Sequence, residues 1–133
     1  MSAVFADTSF FVAFLNRHDE YHAAARDYMS HFSEPVWTTD WVLTELGNYL
    51  ARSDLRKVFV PFVRDLKADR RIEVVSATKK LFHAGLDLYD RRNDKTWSLT
   101  DCISFVVMDQ QQLSQALTAD HHFEQAGFSA LLK

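Results

Sequence analysis

Residues 4–15, VFADTSFFVAFL, decide how the chain folds, because a single acid, Asp7, interrupts an otherwise apolar stretch. Residues 4–6 predict a short buried strand, and residues 8–15 predict a helix that follows it directly. An ionised carboxylate among such neighbours loses hydration unless a cation or hydrogen-bond donors replace the water. Asp7 is therefore either a helix cap or a carboxylate that binds a positively charged group.

The rest of the chain alternates between apolar β-branched runs and stretches of helical spacing. Further strands are predicted at 35–39 (PVWTT), 71–76 (RIEVVS), 115–120 (QALTAD) and, for a short fifth strand, 128–131. Further helices are predicted at 19–32 with Asp19 as cap, 38–53 opened by Thr38, Thr39 or Asp40, 54–68 kinked or divided by Pro61, 77–92, and 98–112.

Strands that alternate with helices predict an α/β fold in which helices cover both faces of a central, mostly parallel sheet of four to five strands. Crossovers in such a sheet are right-handed, so the strand ends that lead into helices lie on one edge. Ligands bind at this carboxyl edge. The predicted position of Asp7 is the end of the first strand, at that edge.

The bulk composition predicts a single domain spanning residues 1–133, because a chain of 133 residues that is 47% hydrophobic can bury one proper core. The formal net charge of −3 excludes a protein that coats nucleic acid by bulk charge, but not a nuclease whose acids hold metal. One cysteine excludes an internal disulfide and favours a reducing, cytoplasmic location. No apolar stretch is long enough for a membrane span, and a signal peptide is not expected.

Three further acids, Glu45, Asp101 and Asp120, are predicted to reach the edge where Asp7 lies. Glu45 lies about one turn into the helix after the second strand, Asp101 opens a helix of buried sequence, and Asp120 ends ALTAD as Asp7 ends VFAD. Several carboxylates within a few ångströms repel one another unless a divalent cation neutralises them. Oxygen ligands alone favour Mg²⁺ or Mn²⁺, which activate water and stabilise a phosphodiester in its transition state. The hydroxyl of Thr8 or Ser9 could orient that water or a ligand.

Each acid also has a structural interpretation, which the sequence leaves open. Asp7 and Asp120 could cap the helices that follow them, and Ser98 with Asp101 fits the capping-box pattern. Glu45 on a helix margin could be an ordinary solvated residue. The convergence of all four acids on one edge under a single topology favours the functional interpretation.

Several other residues suggest chemistry but favour a plainer role. The pair His121 and His122 lacks the further ligands of a zinc site, which favours a surface or packing role. Cys102 enters an apolar helix and is expected to be a small buried hydrophobe. Trp97 could stack on an unpaired base, but packing is favoured. Among the basic groups, those nearest in sequence to Asp101 are the candidates for phosphate binding: Arg91, Arg92 and Lys95.

A phospho-acceptor or phosphatase of similar architecture is a competing interpretation, with Asp7 as the nucleophile. Haloacid-type enzymes require a second acid two residues after the first, where this chain has Ser9. Receiver domains require paired acids before the first helix, and only Asp7 is present. A third interpretation is an RNA- or protein-binding module that keeps the acids without turnover.

The segments FADTSFFVAFL (5–15), TELGNYL (44–50), WSLTDCISFVVM (97–108) and ALTADHHFEQAGF (116–128) together resemble the PIN domain, specifically its small bacterial VapC-like group. The resemblance covers essentially the whole chain in order. It implies a three-layer α/β/α sandwich and a metal-dependent endoribonuclease. The four acids of the PIN domain match Asp7, Glu45, Asp101 and Asp120, and Thr8 or Ser9 matches the hydroxyl beside the first acid.

The resemblance also implies partners that the residues themselves do not show. Many relatives are toxins held inactive by an antitoxin whose tail enters the acidic site, and many form homodimers. The implied function is thus the toxin ribonuclease of a type II toxin-antitoxin pair. A stand-alone RNA-processing nuclease and a catalytically silent module of the same fold remain alternatives.

Overall fold

The computed structural model describes residues 2–133, which form a five-stranded sheet flanked by helices. The strand order is β3-β2-β1-β4-β5, and every pair of neighbours is parallel. The strands are β1 (Val4–Ala6), β2 (Val36–Thr39), β3 (Ile72–Val75), β4 (Gln115–Leu117) and β5 (Ser129–Ala130). The predicted α/β fold and the predicted number of strands are therefore confirmed, and the described sheet is wholly parallel.

Seven helices connect and cover the strands in the described chain. They are α1 (Thr8–Leu15), α2 (His22–His31), α3 (Asp40–Leu50), α4 (Arg56–Ala68), α5 (Lys79–Arg91), α6 (Leu99–Gln110) and α7 (His121–Gln125). Helices α1, α3 and α7 each begin directly after, or within a few residues of, the carboxyl end of a strand. This arrangement directs their first turns, and the acids near them, toward one edge of the sheet. No helix of residues 2–133 combines the length and the apolar character needed to cross a membrane.

The core explains why the opening stretch is so apolar. Strand β1 is the central strand of the sheet, and all three of its residues are buried. The largest side chains with almost no solvent exposure are aromatic: Phe5, Phe10, Phe11, Phe105 and Phe123. A central parallel strand is covered on both faces, so it carries continuous apolar sequence rather than alternation.

One detail of the helices differs from the sequence prediction, and at two others the structure narrows the alternatives that the sequence left open. Asp19 does not cap α2; its carboxylate accepts a hydrogen bond from the amide of Tyr21 in the turn before that helix, which begins at His22. Helix α4 is not divided at Pro61. Proline cannot donate to the carbonyl four residues earlier, but this position is solvent-exposed, where water can satisfy that carbonyl. Of the three candidates to open α3, the structure selects Thr39, whose side chain accepts from the amide of Val42.

Candidate active site

All four predicted acids line one open pocket of about 340 Å³ at the carboxyl edge of the sheet. Asp7 follows β1, Glu45 projects from α3, Asp101 lies in the first turn of α6, and Asp120 precedes α7. The remaining lining residues are Thr8, Ser9, Val12, Asp19 and Tyr49. The structure thus brings together the complete set of acids and both hydroxyl residues that the sequence singled out.

Pairing between β1 and β4 explains why Asp7 and Asp120 share this pocket. Ala6 is in register with Leu117, and the amide of Asp7 donates to the carbonyl of Leu117 over 3.2 Å. The two chains therefore leave the sheet side by side. Thr118, the next residue after β4, bridges them: its hydroxyl donates to Asp7 Oδ2 at 3.0 Å and accepts from the amide of Asp120 at 3.0 Å.

Asp7 is a buried carboxylate rather than a helix cap. Although it occupies the position before α1, its side chain accepts no capping hydrogen bond from that helix. It is 4% exposed, and Oδ2 accepts from the hydroxyls of Ser9 at 3.2 Å and Thr118 at 3.0 Å. Burial, and secondly the negative charge of Asp101, raise the pKa of Asp7 to about 7. Such a group gains from a cation that neutralises its charge.

Asp101 combines the capping role and the site position that the sequence left as alternatives. Its Oδ2 accepts from the amide of Ser98 at 3.2 Å, and the Ser98 hydroxyl accepts from the amide of Asp101 at 3.0 Å, which completes a capping box. The same Oδ2 lies 3.0 Å from Nδ1 of His122. Burial raises the pKa of Asp101, whereas its hydrogen bonds with Ser98 and His122 oppose this shift.

Asp120 and Glu45 line the same pocket, and both are half-buried. Asp120 caps α7, because its Oδ1 accepts from the amide of His122 at 2.9 Å. Glu45 Oε1 accepts a 2.6 Å hydrogen bond from the hydroxyl of Thr8. This bond holds α3 to the start of α1 across the pocket. Glu45 is therefore held at the pocket by a hydrogen bond rather than free in solvent on a helix margin.

The protein's own donors occupy one oxygen of each acid. They reach Oε1 of Glu45, Oδ2 of Asp101 and Oδ1 of Asp120, and both hydroxyl donors to Asp7 reach its Oδ2. No buried side-chain oxygen or nitrogen in residues 2–133 lacks a partner. No described donor reaches the second oxygen of Glu45, Asp101 or Asp120, and none of these oxygens is fully buried. This donor set consists of hard oxygen ligands, which fit Mg²⁺ or Mn²⁺.

Comparison with known proteins agrees with this arrangement. The profile of the PIN domain matches residues 4–129. The chain belongs to the PIN domain family. The predicted resemblance is confirmed, and with it the expected match between the family's fold and this sheet.

The PIN domain described here has curated and structurally solved relatives. It is 27% identical over 125 residues, 94% of this chain and 95% of the relative, to the 23S rRNA-specific endonuclease VapC20 of Mycobacterium tuberculosis. The crystal structure of that sarcin-ricin loop cleaving toxin superposes with a TM-score of 0.86 at 26% identity, covering 96% of this chain and 98% of the other. FitAB bound to a DNA fragment superposes with a TM-score of 0.67 at 18% identity, covering 98% and 94%, and shares the fold.

The contacts that two residues of this PIN domain make with the acids were not predicted from the sequence. Thr118 bonds Asp7, and His122 contacts Asp101, although the two histidines were expected to have a surface or packing role. Proximity to Asp120 in sequence was the one available signal for both. Neither contact follows from spacing alone, because each depends on the pairing of β4 with β1 and on the turn that leads into α7.

The other residues considered from the sequence lie outside the pocket. Trp97 is 5% exposed, packs edge-on against Phe105, and donates from Nε1 to Gln125 Oε1 at 2.9 Å, so packing rather than base stacking is confirmed. Cys102 is buried, and burial raises the pKa of its thiol, as expected for a packed hydrophobe. The two histidines, His121 and His122, lie next to Asp120 in space as well as in sequence: one potential metal-ligand atom from each of the three residues lies within 4.8 Å of the other two.

The basic residues before α6 are partly engaged with their own neighbours. The Arg92 guanidinium pairs with Asp94 through bonds of 3.0 and 3.1 Å and lies 5.0 Å from the centroid of the Trp97 ring. Lys95 Nζ is 4.0 Å from the same aspartate, whereas Arg91 is exposed at the end of α5. Arg92 and Lys95 therefore share one counter-charge, which reduces the positive charge they offer to a phosphate.

Proposed function

We propose that this protein is a Mg²⁺- or Mn²⁺-dependent endoribonuclease, and the toxin of a type II toxin-antitoxin pair. The observation that carries the proposal is the convergence of Asp7, Glu45, Asp101 and Asp120 on one pocket, each with one oxygen held by the protein's own donors. Membership of the PIN domain family supports it, as does similarity to a 23S rRNA-specific endonuclease along nearly the whole chain.

The four acids are the groups that would hold the metal. Asp7 and Asp101 are almost fully buried, and burial raises the pKa of both carboxyl groups. Keeping them ionised side by side therefore costs free energy unless a cation neutralises them. A bound divalent ion would supply an activated water and stabilise the charge that develops on the phosphodiester. Oxygen ligands without sulfur or nitrogen favour Mg²⁺ or Mn²⁺ for this task.

The neighbouring hydroxyls orient the acids. Ser9 and Thr118 both donate to Oδ2 of Asp7, so the carboxylate plane is set by two bonds from different elements. Thr8 does the same for Glu45. Charged groups whose orientation is fixed before substrate binds cost no reorganisation during the reaction. Thr8 and Ser9 are therefore supporting residues in the proposed site.

RNA binding is assigned to the basic residues at the end of α5 and in the loop before α6: Arg91, Arg92 and Lys95. This loop is joined to the site, since the Thr96 hydroxyl lies 3.3 Å from Nε2 of His122. Arg91 carries most of the proposed phosphate contact, because Asp94 already pairs with Arg92. Phosphate contacts position a substrate without reading its sequence.

An antitoxin protein that blocks the acidic pocket, a homodimeric state and a cytoplasmic location complete the proposal. The family resemblance supports the first two, and the single buried cysteine supports a reducing compartment. A small gene upstream that encodes a DNA-binding protein would identify the antitoxin. The protein that this gene encodes should copurify with this chain and suppress cleavage. Separately, Asp7→Asn should leave the chain able to fold.

The test is RNA cleavage by the purified chain. RNA that carries the sarcin-ricin loop is the first substrate to use, because the similar VapC20 cleaves that loop. Cleavage is expected with Mn²⁺ or Mg²⁺, is expected to stop with EDTA, and should be abolished by Asp7→Asn or Asp101→Asn. Asp87→Asn, at an exposed aspartate on α5, is the matched control. Binding of RNA without any cleavage would favour the silent module instead.

A further inference from the structure

His122 lies between two of the acids and makes contacts with both. Its Nδ1 is 3.0 Å from Asp101 Oδ2 and 3.5 Å from Asp120 Oδ1. We infer that His122 is a positioning residue that fixes the carboxylate of Asp101 for metal binding. This inference rests on the proposed function, since it concerns how the acids of that same site are held.

The direction of the hydrogen bond follows from the partners of the ring. Both atoms that face Nδ1 are carboxylate oxygens, which accept hydrogen bonds. Nδ1 therefore carries a proton and donates it. The other nitrogen, Nε2, faces the hydroxyl of Thr96 at 3.3 Å, which can either donate or accept. The ring is thus held on both sides, with its side chain only 18% exposed.

The hydrogen bond selects which oxygen of Asp101 remains available. Oδ2 receives Nδ1 of His122 and the amide of Ser98, two donors from different elements. The carboxylate plane is consequently fixed, and Oδ1 is left for a cation. Without the imidazole, the amide of Ser98 would remain the one described donor on a buried carboxylate, and the group could rotate about its Cβ–Cγ bond. Partners that orient a ligand in this way typically contribute about 10- to 100-fold to metal affinity.

The adjacent histidine provides the matched control. His121 is 65% exposed at its side chain, and its Nδ1 is 3.7 Å from Asp120 Oδ1. It has the same chemistry and nearly the same place in the chain, but no contact with Asp101 among those of the described residues. If the role is specific to His122, the same substitutions at His121 should therefore leave Mn²⁺ binding unchanged.

Two substitutions at His122 separate donation from ring packing. In His122→Asn the side-chain amide nitrogen takes the place of Nδ1, whereas His122→Gln carries its amide one carbon further from the backbone. Binding of Mn²⁺ to the full chain is measured by calorimetry. We expect His122→Ala and His122→Gln to weaken Mn²⁺ binding by about 10- to 100-fold, and His122→Asn to recover most of the affinity. His121→Asn should match the unsubstituted protein.

A second measurement does not depend on metal. Long-range ¹H–¹⁵N spectra of the metal-free protein, with the His122 signals assigned through His122→Asn, should show a protonated Nδ1 bonded to a carboxylate. A bare Nδ1 would overturn the inference, as would unchanged Mn²⁺ affinity in His122→Ala or equal losses in His122→Asn and His122→Gln. If His122→Ala fails to fold, the comparison of the two amides decides.

The outcomes also separate this inference from the proposed function. If the unsubstituted protein binds Mn²⁺ and Asp101→Asn does not, the metal site stands, and the His122 variants alone decide the inference. If the unsubstituted protein binds no Mn²⁺, the proposed metal site is contradicted and the inference falls with it.

Discussion

The hydroxyl of Thr8 donates a 2.6 Å hydrogen bond to Oε1 of Glu45, 37 residues later in the chain. This contact joins the first residue of α1 to the middle of α3 and holds Glu45 at the pocket. Because misplacing a catalytic group by about 1 Å can cost 100-fold in rate, we expect the bond to matter for the proposed activity as well as for packing.

Thr8→Val should lower RNA cleavage by about 10- to 100-fold, because Glu45 loses the donor that fixes it. Thr8→Ser keeps the hydroxyl and should retain most activity. The measurement is the initial rate of cleavage at saturating Mn²⁺. Thr44→Val removes an exposed hydroxyl from α3, the helix that carries Glu45. This hydroxyl donates to the Asp40 carbonyl, and its loss should have no effect on the cleavage rate. A Thr8→Val protein with full activity would contradict the assigned role of this contact.

The buried carboxylate of Asp7 predicts an unusual pH dependence for the metal-free protein. Its pKa in the folded state is raised from 3.8 to about 7, so the folded protein holds a proton that the unfolded chain releases. Stability should therefore fall as the pH rises from about 4 to about 7. Asp7→Asn removes this loss and should stabilise metal-free protein at pH 8 by up to about 4 kcal/mol, with little effect near pH 4.

Urea denaturation at several pH values measures this difference. Asp87→Asn, at an exposed site, is the control and should leave the pH profile unchanged. Saturating Mn²⁺ should reduce the difference at pH 8, because the unsubstituted protein gains about 2.7 kcal/mol when the free metal is 100 times its dissociation constant. The account of Asp7 fails if Asp7→Asn destabilises the metal-free protein at pH 8.

The capping box at α6 predicts that stability and activity respond differently to its two members. Ser98→Ala removes the cap and should cost about 0.5–2 kcal/mol of stability. Asp101→Asn relieves a buried charge, so the metal-free protein should be as stable as the unsubstituted protein or more stable, while cleavage is lost. Thr78→Ala removes the corresponding N-cap from α5, at a residue that does not line the pocket, and should cost stability without affecting the catalytic rate. A clear loss of stability in Asp101→Asn would favour a purely structural role for this acid.

The contact between α5 and α6 predicts a sharp response to a single methyl group. A Cβ at Gly85 would lie 2.3 Å from Cγ1 of Ile103, a core residue with no solvent exposure. Gly85→Ala should therefore destabilise the fold by about 1–3 kcal/mol, despite the better helix propensity of alanine. A Cβ at Gly47 would lie 2.8 Å from the ring of Phe59. Because that ring is half-buried and can move, Gly47→Ala should cost less stability than Gly85→Ala. Thermal denaturation of both variants checks the order.

The proposed phosphate contacts predict a change in salt dependence. Arg91→Ala should weaken RNA binding about equally for different sequences and reduce the slope of log affinity against log salt by about 1. Arg92→Ala should have a smaller effect, since its guanidinium already pairs with Asp94. Lys80→Ala, at an exposed lysine at the other end of α5, is the control. Unchanged binding in Arg91→Ala would remove Arg91, and with it the end of α5, from the proposed interface.

The sequence predicted the fold because its elements are separated by consistent local signals. Apolar residues 4–6 followed by Asp7 mark both the end of a strand and the start of a helix, and 115–120 repeat that signal. The cap of α2 differed from the prediction, because Asp19 bonds a turn amide two residues away rather than the helix. At α3 the sequence left three candidates open, and the structure selects Thr39 among them.

The positions of the four acids could be predicted from the sequence, but the contacts of the residues that hold them could not. Topology alone carries strand-end acids such as Asp7 and Asp120 to one edge. The contacts of Thr118 and His122 depend on strand register, on the turn before α7 and on side-chain rotamers, which spacing does not encode. Asp101 shows a further limit: the sequence posed capping and site membership as alternatives, whereas one carboxylate serves in both arrangements.

The most direct test of the central claim is the position of a bound ion. Crystals grown with Mn²⁺ and measured at its absorption edge give an anomalous peak wherever the metal lies. The account predicts one peak in the acidic pocket, with oxygens of Asp7 and Asp101 within about 2.0–2.3 Å. A pocket without a peak at saturating Mn²⁺, or a peak held by the imidazoles of His121 and His122 instead, would contradict it.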